Sequence, residues 1–399
     1  MSTEATRART ERPRLRSILA LAIFAAALGS VAAAHYYVLR GFVLAPELGE
    51  PWRTLGVAFV PIAFAGLFVG LALERVLAPP WLRIVSWPFA LWIGVFWLGF
   101  VALLFTDVAF SLMGAASFAP ALDLARSRAL AAGALVVLAS SFGLRGALRL
   151  PRVKRVELAL AEWPRALEGF RIVQISDIHI GPILGRSFAA ALVERVNSLA
   201  PDLIAVTGDL VDGAVEKVGG EVEPFAALRA RHGAFFVPGN HDFYSGLGGW
   251  ADRVRALGMR VLRNERVPIG GSDGFDLAGV DDHRGDWREG STEDLGAALA
   301  QRDPRRPVVL LAHDPTTFVK ASAAGVALQL SGHTHGGQIW PFGALVRLTT
   351  PFVAGHFTRG DSQLYVSRGS GFWGPPMRLF APSEITEIVL RRRQPSDRL

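Results

Sequence analysis

Four long apolar runs fill most of the first 150 residues of this chain. Each is about 17–25 residues long, the length that an α-helix needs to cross the hydrocarbon core of a bilayer. Their interiors are nearly free of charge, and aromatic residues cluster near their ends, as they do at membrane interfaces. Four such runs in succession favour membrane-spanning helices over a buried helical bundle in a soluble protein. The runs cover residues 17–39, 54–73, 84–106 and 128–144.

The first run could instead be a cleaved signal peptide, because it contains the small residues Ala32, Ala33 and Ala34. It is long for that role and three further runs follow it, so we interpret it as a retained helix. Basic residues precede the first run and follow the fourth, whereas the connecting loops carry fewer. The positive-inside rule therefore predicts a multi-pass protein of the cell (inner) membrane, with the segment after the fourth run in the cytoplasm. The flanking basic residues are Arg7, Arg9, Arg12, Arg14 and Arg16 before the first run, and Arg145, Arg149, Arg152, Lys154 and Arg155 after the fourth.

The amino-acid composition excludes some kinds of metal site and argues against a nucleic-acid partner. Cysteine is absent, which excludes disulfides and thiolate ligands. The net charge of +7 is not accompanied by a run of interleaved basic and aromatic residues, so we expect no nucleic-acid partner. The basic segments beside the apolar runs are better explained by membrane topology and anionic lipid headgroups. No obligate protein partner is evident from the sequence.

The pattern of apolar and polar residues changes near Pro151. From there, short β-rich runs alternate with helical stretches, which is the pattern of an α/β domain. The sequence thus predicts a membrane domain over residues 1–150 and an α/β domain over residues 151–399.

Five strand-like runs of the second half each end in side chains that commonly bind metal ions. At two of these junctions the side chains lie at positions i and i+2, so both point to the same side of the strand end. Glycines beside them let the backbone bend sharply and come close to a ligand. Five of the nine histidines fall at these junctions, whereas random placement would scatter them. The junction residues are Asp177 and His179; Asp209; Asn240, His241 and Asp242; His313; and His333 with His335.

Taken in order, Asp-x-His, Gly-Asp, Gly-Asn-His-Asp, a single His and Gly-His-Thr-His resemble the motifs of the calcineurin-like metallophosphoesterases. All five are present between Asp177 and His335, with no substitution at a ligand position. Residues 279–282 and 367–376 are similar to the membrane-associated branch of that family. Several bacterial members and an animal member of this branch carry hydrophobic helices before the catalytic domain. The resemblance implies a four-layer α-β-β-α sandwich with a two-metal centre at the strand ends.

The resemblance also implies a role for each junction residue. Carboxylate, amide and imidazole ligands without thiolate suit manganese, iron or zinc. Two such ions can share a hydroxide nucleophile and clamp the phosphoryl oxygens during an in-line displacement. His241 would donate a proton to the leaving alkoxide or stabilise charge on the phosphoryl group, and Asp242 would orient the His241 ring. The implied ligands are Asp177, His179 and His335 for one ion and Asn240, His313 and His333 for the other, with Asp209 bridging.

We therefore expect a membrane-anchored, binuclear-metal phosphoesterase that hydrolyses phosphodiester or pyrophosphate bonds, with a preference for a lipid or glycolipid substrate. A similar protein hydrolyses UDP-2,3-diacylglucosamine in lipid A biosynthesis, which makes this molecule one candidate. A phosphomonoesterase or nucleotide phosphodiesterase is the alternative within the same class. A non-catalytic membrane scaffold on the same fold is the alternative of another class, although such scaffolds usually lose ligands.

The remaining polar and apolar residues near the motifs leave alternatives open. Asp281, Asp282 and His283 are either rim residues that contact substrate or an ordinary acidic turn. Arg368 could pair with a phosphate, or could be a surface residue, and Asp212 is interpreted as a turn residue. The apolar segment 339–357, which contains Trp340 and Phe342, is either a surface that meets acyl chains or ordinary core packing.

Overall fold

The structure is a computed structural model that describes residues 3–74, 76–115, 121–285 and 293–394. It divides into two compact units: Met1–Gly70 with Val95–Ser140, and Leu71–Gly94 with Ser141–Leu399. The domain boundary expected between residues 150 and 151 stays a prediction.

Long helices account for the apolar half of the sequence. Within the described residues, four helices are long and apolar enough to cross a membrane, over Leu21–Leu44, Trp52–Gly70, Trp81–Leu112 and Asp123–Leu148. Each predicted apolar run lies within one of these stretches except for a few residues at its ends. Many large apolar side chains on these helices are exposed, as a helix surrounded by lipid requires. The helices are α1 (Thr3–Leu39, continued by a π-helical turn at Arg40–Leu44), α2 (Trp52–Glu74), α3 (Trp81–Ala115) and α4 (Ala121–Leu148).

Two six-stranded mixed sheets form the centre of the second unit. The strand order is β1-β12-β2-β3-β4-β5 in the first sheet and β10-β11-β9-β8-β7-β6 in the second. The strands are β1 (Arg152–Leu160), β2 (Phe170–Ile175), β3 (Leu203–Thr207), β4 (Ala234–Val237), β5 (Arg260–Val261), β6 (Glu265–Ile269), β7 (Phe275–Gly279), β8 (Val308–Leu311), β9 (Leu328–Ser331), β10 (Gly355–Arg359), β11 (Ser362–Val366) and β12 (Glu384–Arg392).

The shorter helices follow or connect these strands. They are α5 (Arg186–Asn197), α6 (Val215–Val218), α7 (Asn240–Tyr244), α8 (Leu247–Ala256), α9 (Leu295–Leu299), α10 (Phe318–Ala323) and α11 (Phe342–Val346).

Alternation along the strands separates two kinds of core. On β2, Ile172 belongs to a cluster that takes residues from both sheets, such as Phe235 and Leu311. Its neighbour Val173 faces the opposite way, into a cluster with residues of α5 and α8. A third cluster joins the outer face of the second sheet to α9 and α10. The layers are therefore helix, sheet, sheet and helix, and the predicted fold class is confirmed.

Parallel pairing brings the predicted site residues to one edge of each sheet. Strands β2, β3 and β4 pair in parallel, as do β8 and β9. The carboxyl ends of parallel strands lie at the same edge, which is where α/β sheets place their ligands. All five junctions identified in the sequence follow the carboxyl ends of these five strands.

Candidate metal centre

The backbone is strained at the residues that follow the strand ends. Asp177, His179, Asp209, His333 and His335 have φ values of 51°, 52°, 52°, 71° and 51°. Residues other than glycine seldom adopt this left-handed conformation, which costs of order 1 kcal/mol or more for each residue and concentrates at functional sites. These tight turns occur at three of the five junctions, where they direct the polar side chains towards one another.

Asp177, His179 and His335 form one group of potential ligands, and their side chains are almost fully buried. The Nε2 atoms of His179 and His335 are 3.1 Å apart, and His335 Nε2 is 3.5 Å from Asp177 Oδ1. A Cβ at Gly332 would collide with the Asp177 carboxylate, so only glycine leaves room for this carboxylate. Three ligand atoms therefore face one small volume.

Asp209, His313 and His333 form a second group. His313 Nε2 is 3.1 Å from Asp209 Oδ2 and 3.2 Å from His333 Nδ1. On the far side of its ring, His313 Nδ1 donates to the carbonyl oxygen of Thr207 at 2.8 Å, which leaves the Nε2 lone pair for a ligand. Asp209 Oδ2 also lies 3.8 Å from His179 Nε2, so this carboxylate lies between the two groups.

The donor set fits a pair of cations. In their neutral forms His179 and His313 each donate through Nδ1, to Asp212 and to the carbonyl oxygen of Thr207, so the Nε2 atom of each ring carries a lone pair that can bind a cation. Asp177 Oδ2 and Asn240 Oδ1 are buried, and among the described residues neither has a hydrogen-bond partner. A buried polar oxygen left in this way costs free energy unless a cation or another donor binds it. Burial also lowers the pKa of His333 to about 4, which keeps its ring neutral and able to bind metal.

Asp212 is a site residue that the sequence analysis missed. Its carboxylate accepts from His241 Nδ1 at 2.7 Å and from His179 Nδ1 at 3.0 Å. Burial lowers the pKa of His241, but the hydrogen bond to Asp212 and the charges of Asp209 and Asp212 outweigh burial and raise this pKa to about 9. The available sequence signal was the second aspartate three positions after Asp209, which we interpreted as part of a turn.

The prediction that Asp242 orients His241 is wrong. Asp242 is buried, and its Oδ2 accepts from the backbone N–H groups of Asp209 and Gly239, both at 2.8 Å. Its Oδ1 accepts from Leu210 N at 3.0 Å. Adjacent residues of a helix do not face each other, so in α7 the carboxylate points away from the His241 ring. Asp242 joins the loops after β3 and β4 and thereby holds Asp209 and Asn240 in place.

Comparison with known proteins agrees with this arrangement. The family model for the calcineurin-like phosphoesterases matches residues 170–337, which include every junction described above. An uncharacterized metallophosphoesterase of Aquifex aeolicus is 35% identical over 246 residues, which cover 60% of this chain and 92% of that protein. The chain belongs to the calcineurin-like phosphoesterase family.

Longer relatives carry the same domain. An uncharacterized metallophosphoesterase of Helicobacter pylori is 38% identical over 62% of this chain and 66% of its own length. The transmembrane protein with metallophosphoesterase domain of Danio rerio is 36% identical over 63% of this chain and 60% of its own length. The chain spans less than two thirds of the length of these two relatives. Together with the four candidate membrane helices, the similarity to a transmembrane protein indicates that this calcineurin-like phosphoesterase is a membrane protein.

Residues 281–284 form one rim of the calcineurin-like phosphoesterase site. Asp281 is buried and paired with Arg263 at 3.0 Å, whereas Asp282 accepts from the backbone of Arg284 at 2.6 Å. Arg284 was not predicted from the sequence. Its guanidinium lies 3.0 Å from His333 Nε2 and 3.0 Å from the Asp314 carboxylate. Arg284 therefore places a positive charge beside the second group of ligands.

The other two candidate rim residues pair with carboxylates that are not proposed ligands. His283 is 3.5 Å from Glu293, and Arg368 is 3.7 Å from the Glu384 carboxylate. Both side chains are partly exposed. The structure therefore gives each of them an ion-pair partner outside the two ligand groups.

The apolar segment 339–357 divides into a packed part and an exposed part. Phe352 and Phe357 pack against the buried Phe318. Trp340 and Phe342 are about half exposed, and Leu348 is 82% exposed. Two further exposed apolar residues, Trp373 and Phe380, lie in the loop before β12. We use the name apolar collar for Trp340, Phe342, Leu345, Leu348, Trp373 and Phe380.

The apolar collar reaches His241 through Trp373. The ring centroid of Trp373 is 5.3 Å from that of His241, and the Trp340 ring is 6.3 Å from the ring of Phe380. Exposed apolar side chains thus lie directly beside a cluster of carboxylates and imidazoles.

Proposed function

We propose that this chain is a membrane-anchored, binuclear-metal phosphoesterase that hydrolyses phosphodiester or pyrophosphate bonds. The observation that carries the proposal is the pair of facing ligand groups with Asp209 between them. Mixed carboxylate, amide and imidazole donors suit manganese, iron or zinc. The proposed ligands are Asp177, His179 and His335 for one ion and Asn240, His313 and His333 for the other, with Asp209 shared.

The chemistry divides between the ions and the side chains. Two divalent ions bound here would lower the pKa of a bound water and neutralise charge on the phosphoryl oxygens. His241 lies at the edge of the first group, and its Nε2 is the atom that would deliver a proton to the leaving oxygen. Asp212 holds the His241 ring in the tautomer that carries a proton on Nδ1. Arg284 offers donors to a phosphate at the opposite rim.

A lipid or glycolipid is the substrate class that the surroundings favour. Lipid-linked phosphates combine an anionic group with acyl chains, and the apolar collar places exposed apolar surface beside His241. Contiguous apolar surface next to a polar site is typical of contact with lipid or with a partner. UDP-2,3-diacylglucosamine is one candidate of this class. The proposed location is the cell (inner) membrane, with the phosphoesterase domain in the cytoplasm.

The test uses the full chain in detergent, freed of metal and resupplied with Mn²⁺. The substrates are bis-p-nitrophenyl phosphate, p-nitrophenyl phosphate and a lipid-linked pyrophosphate. We expect hydrolysis of the diester and faster hydrolysis of the lipid-linked pyrophosphate. Turnover of the monoester alone would favour the phosphomonoesterase alternative, and a protein that holds two ions but hydrolyses none of the three would overturn the proposal.

A further inference from the structure

Arg378 is a buried cation that no motif of the site includes. Arg378 is only 3% exposed. Its guanidinium donates to the carbonyl oxygens of His335 at 3.0 Å, Arg368 at 2.6 Å and Gly371 at 3.0 Å. A buried guanidinium is costly unless it is fully hydrogen-bonded. Here the bonds join the loop after β11, which contains Arg368 and Gly371, to one of the proposed metal ligands, His335.

The backbone of Arg378 is bonded to the end of α4. Arg378 N donates to the carbonyl oxygen of Gly143 at 2.8 Å. A Cβ at Gly146 would lie 2.7 Å from the Arg378 carbonyl oxygen, and one at Gly143 would lie 3.3 Å from Met377 Cβ. The contact at Gly146 is too close for any side chain, whereas the one at Gly143 is tight but requires only a small shift of Met377. The last two turns of α4 therefore lie against the same residue that holds His335.

The fourth turn of α3 contacts the same loop. A Cβ at Gly94 would lie 2.6 Å from Met377 Sδ and 3.1 Å from Pro375 Cβ. Gly94 and Gly143 both belong to the second unit, on the two helices that also supply the third and fourth candidate membrane spans. Residues 375–378 are thus held by both helices, next to Trp373 and Phe380 of the apolar collar.

Close packing does not occur at every glycine of α4. At Gly133, one of the other glycines of this helix, no described atom lies within 4 Å of an added Cβ. The close approach is specific to the terminal turns, and it leads to a residue whose donors end on the carbonyl oxygen of a proposed ligand.

We propose that Arg378 is a positioning residue that ties the end of α4 to His335, so that the position of this candidate membrane helix sets the affinity for one of the two metal ions. The inference rests on the proposed function, because it concerns the same metal centre. The affinity predicted to depend on Arg378 is that for the ion held by Asp177, His179 and His335. Among the described residues, the hydrogen bonds of Arg378 reach His335 and none of Asn240, His313 and His333, so the second ion should be affected less.

Gly146→Ala and Gly133→Ala form a matched pair that tests the link. Both replace a glycine of α4 by alanine and so raise helix propensity in the same sense. Only the alanine at position 146 pushes against the Arg378 backbone. Removal of an interaction that orients a metal ligand typically lowers metal affinity 10–100-fold. We expect about that loss for one ion in Gly146→Ala and none in Gly133→Ala.

The measurement is a Mn²⁺ titration of the metal-free full chain in detergent, followed by electron paramagnetic resonance. Two ions that share Asp209 give a spin-coupled signal, and a singly loaded protein gives that of an isolated ion. Gly146→Ala should show the isolated-ion signal at Mn²⁺ concentrations that give the coupled signal in wild type. Arg378→Met should lower the affinity for the same ion. Arg378→Lys should retain part of this affinity, because an ammonium can still reach one carbonyl oxygen.

The outcomes separate this inference from the proposed function. Wild-type affinity for both ions in Gly146→Ala, or equal losses in Gly146→Ala and Gly133→Ala, would overturn the role of Arg378. Two ions bound to wild type without hydrolysis of any phosphoester would overturn the proposed function and leave the role of Arg378 standing. Wild-type protein that retains no Mn²⁺ would overturn both.

Discussion

Asp212 Oδ1 lies 2.7 Å from His241 Nδ1, and the other oxygen of the same carboxylate lies 3.0 Å from His179 Nδ1. One side chain therefore orients both the proposed proton donor and a proposed metal ligand. A carboxylate that accepts from Nδ1–H fixes the tautomer and leaves Nε2 to act. Asp212 is therefore expected to affect both metal binding through His179 and proton transfer through His241.

We predict that Asp212→Asn weakens both functions. Removing a carboxylate that orients a histidine ligand lowers metal affinity or activity about 10–100-fold. The substitution also removes a cause that raises the pKa of His241, while burial, which lowers this pKa, remains. Because His241 acts in its protonated form, the fall in rate at alkaline pH should begin at lower pH than in wild type. The pH–rate profile with saturating Mn²⁺ measures this shift, and an unchanged alkaline limb would contradict it.

We predict that His241→Ala separates chemistry from metal binding. His241 is not one of the seven proposed ligands, and its Nδ1 is bonded to Asp212, so the variant should retain both ions. The rate should fall about 10²–10⁴-fold, the usual contribution of one acid–base group. Metal content and turnover of bis-p-nitrophenyl phosphate are measured on the same preparation. Turnover at the wild-type rate would exclude His241 as the proton donor.

We predict that the apolar collar matters for lipid substrates alone. Trp340→Ser with Phe342→Ser removes two half-exposed apolar side chains beside the site. Full burial of a large apolar side chain contributes about 1.5–3 kcal/mol. If lipid covers these two side chains, their loss should slow hydrolysis of a lipid-linked pyrophosphate about tenfold or more. Hydrolysis of bis-p-nitrophenyl phosphate should be unchanged. Val319→Ser, on α10, is the control for an exposed apolar residue outside the collar. Equal losses on both substrates would show that the collar serves only to maintain the fold.

We predict that Asp276→Ala destabilises the domain without affecting the metal centre. Asp276 is buried on β7 and pairs with Arg266 at 2.9 Å and Arg306 at 2.8 Å. Its removal leaves two partly buried guanidinium groups without their carboxylate, which costs about 3 kcal/mol. Chemical denaturation should show this loss, while the Mn²⁺ affinity of the folded protein stays at the wild-type value. A loss of metal affinity without a loss of stability would contradict this assignment.

The positions of the proposed ligands at the strand ends could be predicted because they depend on local sequence. A buried strand followed by polar residues at i and i+2, as in Asp177 and His179, already determines which side chains leave the strand end together. The parallel order of β2, β3 and β4 then brings the junctions to one edge. The four candidate membrane helices were predictable for a similar reason, since length and apolar composition are properties of contiguous sequence.

The residues that were missed depend on contacts between loops. Asp212 meets His241 across 29 positions of sequence, and no periodicity reports that contact. Asp242 was assigned to His241 because it is adjacent in sequence, yet neighbours in a helical turn point apart. Arg284 and Arg378 lie on irregular segments, and their roles follow only from where the chain folds back. Sequence reasoning therefore identified the proposed ligands and missed the side chains that orient them.

The central claim is that seven side chains hold two cations around Asp209, and metal content tests it most directly. Wild-type protein and Asp209→Asn are purified in detergent, stripped of metal, resupplied with Mn²⁺ and freed of excess ion before elemental analysis. We predict about two ions per chain for wild type, and loss of both metal and phosphoesterase activity for Asp209→Asn. Wild-type protein that retains no ion, or an Asp209→Asn variant that retains two ions and full activity, would contradict the account.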